Sequence, residues 1–229
     1  MSIKVLGYPT EIFDFVLGDG SYYSLFSSLD KSRNERRKGL LNIEFKKGMW
    51  EEYFQHVYNQ RFPFKPKFIQ KKDCIVNGRN SGMEDGFDYT TIMTKKKYGI
   101  GTKIWFTCSF ETYGAPLIML TDSLTSDKNG NLSYGVGQEF VLWEHGFNVW
   151  DFFMKDGNLA WHALLCAEFC LKPGEKHEMC LEIMEKNVRA TVGGMSILIR
   201  TENLPGEFYI GVTGCENINR LYSLKIEEA

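Results

Sequence analysis

From Lys67 onward the chain is cut into short apolar runs that recur about every 10–15 residues, with Gly, Asn, Asp or Pro between them. The runs are Lys67–Val76, Tyr89–Thr94, Thr102–Phe110, Ala115–Thr121, Gln138–His145, Asn148–Met154, Ala160–Leu171, His177–Met184, Val188–Val192, Met195–Arg200, Glu207–Thr213 and Leu221–Ile226. Lys128-Asn129-Gly130-Asn131, Asp156-Gly157-Asn158 and Gly193-Gly194 are turn signals. Short strands at such regular spacing build an antiparallel sandwich or barrel. At 229 residues the chain is long enough for one large β domain and short for two. No linker splits it and no repeat is evident, so residues 1–229 are expected to form one domain. Residues 1–66 are less regular, with short strand-like runs at Ile3–Leu6, Phe13–Leu17, Ser21–Phe26 and Leu40–Phe45.

One segment breaks the β texture. In Met49–Gln60 the residues Trp50, Tyr53, Phe54 and Val57 fall at i, i+3, i+4 and i+7, the stripe of an amphipathic helix. Pro63 and Pro66 follow it. The spacing predicts one short helix over 49–60.

Composition narrows the partners. Lys plus Arg total 27 against 29 Asp plus Glu, a formal net charge of −2, and no basic face draws the chain to nucleic acid. No run reaches the roughly 18 apolar residues of a membrane span, and the start lacks a signal-peptide pattern. The expected setting is cytoplasmic, with the six cysteines as free thiols. No P-loop or dinucleotide-binding pattern is present, since Gly99-Ile100-Gly101 lacks the third glycine. No cofactor is expected, and oligomeric state cannot be read from the sequence.

Gln138–Met154, QEFVLWEHGFNVWDFFM, reads as a hairpin with a two-residue turn at Gly146-Phe147. That register sets Trp143 against Trp150 and His145 against Asn148, with Glu139 on the same face. A sugar ring offers C–H groups to an aromatic plane and hydroxyls to Asn, His or Glu. The face therefore suits a saccharide, although two tryptophans at such positions also suit a core.

Hydrolysis of a glycoside needs two carboxyls about 5–5.5 Å or 6.5–9.5 Å apart. Glu139 and Asp88 are the candidate pair. Glu144 and Asp151 project from the opposite hairpin face. The acidic stretch ending at Asp88 also fits a plain turn or a Ca²⁺ loop. Cys166, Cys170, His177 and Cys180 do not converge on a metal, because His177 and Cys180 are an odd number apart on a strand. No metal site is assigned. Arg220, in the polar loop beginning at Cys215, is a candidate ligand contact or the partner of Glu216.

The run from Val188 to Glu228 resembles the tail of a concanavalin A-like lectin/glucanase sandwich: a strand, Gly193-Gly194, a strand, Gly206–Gly211 as G-x-F-x-I-G, and Tyr222–Ile226 as Y-x-L-K-I. The texture extends the resemblance over roughly residues 100–227. It implies an all-β, antiparallel two-sheet jelly roll whose concave sheet is the usual ligand surface. The family's catalytic signature, E-x-D-x-x-E, has no counterpart, since E-x-D occurs nowhere in the chain. The expectation is a carbohydrate-active protein: an intracellular hydrolase of short saccharides, or else a non-catalytic sugar-binding module or a protein-interaction sandwich.

Overall fold

A computed structural model of the protein describes residues 2–5, 39–59, 65–77, 89–201 and 204–229. The expected strands Phe13–Leu17 and Ser21–Phe26, and the candidate acid Asp88, lie outside the described residues. Two antiparallel sheets pack face to face. The first runs β1 (Ser2–Val5), β14 (Asn158–Glu168), β13 (Gly146–Lys155), β12 (Gly137–Trp143), β9 (Ala115–Thr121), β18 (Glu207–Cys215), β6 (Thr90–Thr94) and β3 (Phe54–Val57), with β7 (Tyr98–Gly99) on β18. The second runs β17 (Met195–Arg200), β16 (Asn187–Val192), β15 (His177–Ile183), β8 (Lys103–Phe110), β19 (Asn219–Glu228), β5 (Ile75–Val76) and β4 (Ile69–Gln70), with β2 (Gly39–Glu44) also on β19. A small ribbon, β10 (Leu124–Ser126) with β11 (Leu132–Tyr134), stands apart.

The main core fills the space between the sheets. Phe106, Phe110, Phe140, Phe208, Leu120 and Ile210 are all fully buried there. Their alternation along the strands is the period-two signal that marks them in the sequence. A second cluster sits on the other face of the first sheet. Val57, Met93, Leu117, Met119, Val141, Phe152 and Cys215 pack there with Tyr134 of β11, whose ring meets Phe152 edge-on at 5.5 Å. The β10–β11 ribbon therefore covers part of this outer face. Both faces of β12 and β13 are packed, as their apolar composition requires.

The expected helix over 49–60 is not one, and the described residues contain no helix. Met49 N–H donates to Lys46 and Phe54 N–H to Trp50, which closes turns. The chain then enters β3 beside β6. Phe54 belongs to the inter-sheet core and Val57 to the outer cluster. Three residues apart on a strand, they face opposite ways, so an edge strand buried on both sides imitates a helical stripe. Aromatic and β-branched residues such as Tyr53, Phe54, Val57 and Tyr58 also favour a pleated strand over a helix.

Candidate functional site

The hairpin at 138–154 forms, but its turn is Glu144-His145 rather than Gly146-Phe147. Trp143 pairs with Gly146, Val141 with Asn148 and Glu139 with Trp150. Gly146 is needed for a different reason. At φ 145°, a Cβ there would stand 1.9 Å from the Ala167 carbonyl oxygen of β14. The glycine lets a neighbouring strand approach, and the turn is held by Phe169 N–H on His145 C=O and Leu171 N–H on Glu144 C=O, both at 3.0 Å.

This shift from the expected register is even, so the division of side chains between faces survives. Glu139, Trp143, Asn148 and Trp150 do share the outer face of the first sheet. The cross-strand partners change. Trp150 lies beside Glu139, while Trp143 lies four residues away along β12, about 13 Å at strand rise. The expected Trp143–Trp150 pair is therefore two separated rings. Asp151 is on the opposite face, where Gln138 donates to it at 2.8 Å.

Two residues that the sequence reading did not single out complete the surroundings of Glu139. Trp161 of β14 and Tyr89, just before β6, both reach it. Trp161 pairs with Phe152, on the same face. The rings of Tyr89 and Trp161 are 6.5 Å apart. Glu139 is 2% exposed. Burial pushes its carboxyl up to about 7, against hydrogen bonds from Trp161 and Tyr89 that pull it down. The Tyr89 hydroxyl is held well above its ordinary value, first by burial and then by the charge of Glu139. Trp150 and Trp161 are half-buried. The result is a carboxyl that is part protonated at neutral pH and seated among three aromatic rings. The chemistry open to it is hydrogen bonding to a ligand hydroxyl or proton donation.

The signal for Trp161 was present in the run Ala160–Leu171, but its face was not. An extra residue, Leu164, bulges out between the pairs Val149–Leu165 and Trp150–Ala163. Odd-numbered residues before the bulge point to the outer face, and odd-numbered residues after it point into the core.

Arg220 is not part of this site. It lies on β19 opposite Ser109, on the far side of the second sheet, and is ion-paired with Glu111 rather than Glu216. Glu216 sits in the left-handed region at φ 55°, and its carboxyl is raised by burial and by the charge of Glu144. The turn that carries it is fixed by Asn77, which donates to Asn217 C=O and accepts from Asn219 N–H, both at 2.7 Å. His177 stacks on Phe110 at 5.6 Å and bonds Lys172 C=O. His145 is at the hairpin tip, edge-on to Trp143 at 5.1 Å.

The architecture is the expected all-β, antiparallel two-sheet jelly roll. The chain superposes on beta-agarase A from Zobellia galactanivorans with a TM-score of 0.58 at 8% identity, over 83% of this chain and 93% of that one. A beta-porphyranase from the human gut bacterium Bacteroides plebeius gives 0.51 at 11% identity, over 83% and 93%. An inactivated mutant beta-agarase B in complex with agaro-octaose gives 0.53 at 8% identity, over 78% and 86%. At these identities the likeness is one of fold. No protein-family model matches the sequence, and no curated protein matches it.

Proposed function

We propose that the protein is carbohydrate-active and that the outer face of the first sheet is its saccharide-binding surface. One observation carries this reading: the Glu139 carboxyl is set among Trp150, Trp161 and Tyr89 on one face. The indole planes offer a surface to the C–H face of a sugar ring. Asn148, two residues along β13, presents an amide whose Oδ1 has no partner among the described residues, suited to a sugar hydroxyl. Glu139 fixes the orientation of Trp161 and Tyr89 and supplies a further hydrogen-bonding group. Agarases and a porphyranase on the same fold support the reading by analogy alone. A cytosolic setting and short saccharide ligands belong to the same proposal.

Hydrolysis is a second reading, favoured by the burial that raises the Glu139 carboxyl to about 7 and leaves a protonated fraction at neutral pH, as a general acid requires. It needs a second carboxyl at about 5–5.5 Å or 6.5–9.5 Å. Among the described residues of β12 to β14, the other carboxylate on this face is Glu168. It is opposite Gly146, about 13 Å along the strands and two strands across. Asp88, the expected partner acid, lies outside the described residues, and simple binding is put first because it needs no second carboxyl. Titration of tryptophan fluorescence with oligosaccharides, alongside a reducing-end release assay, tests both. Binding without release is expected, weakened several-fold by Trp150→Ala. Release that Glu139→Gln abolishes would establish hydrolysis instead. No fluorescence response to any saccharide would end the carbohydrate reading.

A further inference from the structure

At the tip of the 138–154 hairpin a shallow, open cavity of about 500 Å³ is lined by Trp143, His145, Glu168, Phe169 and Cys170. It is built by the chain that returns from β14 and bonds the turn carbonyls of Glu144 and His145. Its walls are aromatic: Trp143 and His145 meet edge-on at 83°, with Phe169 alongside. Its polar groups are those a polyol uses. The indole Nε1 of Trp143 is buried with no partner among the described residues, a donor waiting for an acceptor. His145 is 71% exposed at the side chain, and Glu168 is exposed at the rim.

The cavity lies in line with the Glu139 surroundings. Trp150, Asn148 and Gly146 follow one another at alternate positions of β13, opposite Glu139, Val141 and Trp143. All face the same side, and between the two aromatic sites lie the half-buried Asn148 and, opposite it, the buried Val141. Their spacing, about 13 Å along the strands, exceeds the length of one sugar ring.

We infer that the hairpin-tip cavity is a second ring-binding subsite, and that the ligand is a linear oligosaccharide lying along β12 and β13. The inference rests on the saccharide-binding reading above. In it Trp143 supplies the stacking plane and the N–H donor. His145 and Glu168 contact hydroxyls at the rim, and Asn148 bonds the unit between the two sites. A monosaccharide or disaccharide fills one site only.

The test is a length series, from one to eight rings, of agaro-, cello- and laminari-oligosaccharides titrated into the full chain. Affinity should rise with length and then level off once both sites are filled. His145→Ala, at an exposed position, and Trp143→Ala should each remove that gain, lowering affinity for the longest ligand by roughly five-fold. Binding of the disaccharide at the Trp150 site should stay unchanged. Affinity independent of length, or a gain that survives both substitutions, overturns the second subsite while leaving the first site standing. Absence of binding across the whole series overturns the saccharide reading and this inference together.

Discussion

Glu139 couples the proposed site to the stability of the fold. A buried carboxyl raised from its ordinary 4.5 to about 7 keeps its proton in the native state after the unfolded chain has lost it. The native state then binds more protons between those two values, so stability falls as pH rises through that window and is level above it. The stability present below pH 4.5 and lost by pH 7 is on the order of 3 kcal/mol. Urea midpoints measured from pH 4.5 to 8 should show this slope in the wild type and a flatter profile in Glu139→Gln. An identical slope in both would mean that Glu139 titrates normally. At this scale the sequence was partly legible. Glu139 and Trp150 could be found because alternation sets the face of a residue whatever the register. Arg220 could not be placed, because its neighbour Glu111 comes from a turn more than a hundred residues earlier.

Elements were legible where one periodicity holds along their whole length. Strand limits at β8, β9, β16 and β17 agree with the sequence to within a residue. The β4–β5 region, expected as one strand over Lys67–Val76, is instead two short pieces joined by a tight turn. The hairpin turn was misplaced because a glycine between strands has two physical uses, a turn or a close approach, and only the neighbouring strand decides between them. The structure assigns Gly146 to the second. Gly146→Ala should destabilise the protein by roughly 3 kcal/mol or more, since the new Cβ meets backbone. Gly157→Ala, at φ 77° with open space around it, should cost about 1 kcal/mol. Thermal melts of the two variants make the comparison. Equal effects would return Gly146 to the turn.

For the whole molecule, the layered build sets the order in which the six thiols become available. Cys170 is exposed, Cys166 and Cys180 are half-buried, and Cys74, Cys108 and Cys215 are buried. Burial raises the Cys108 and Cys215 thiols well above their ordinary value and Cys180 to about 11, which suppresses the reactive thiolate. A chromogenic disulfide reagent should find one fast thiol in the native protein, lost in Cys170→Ser. Six should react after denaturation without reductant. Fast reaction at Cys108 would mean that the inter-sheet core is not closed. The sandwich itself could be read from turn spacing because every strand needs its own stop. The second cluster and its ribbon cover could not, because they depend on how β10 and β11 fold back over the sheet.

The bulge at Leu164 gives the outer face an adjustable shape. Val149 and Leu165 pair on one side of it and Trp150 and Ala163 on the other. Removing the one extra residue would leave both pairs in place and every neighbouring side chain on its present face. What would change is the twist that a bulge adds to its strand, and with it the angle at which the planes of Trp150 and Trp161 open. A single-codon deletion would thus reset the angle between the two indoles while leaving the residues of this face unchanged.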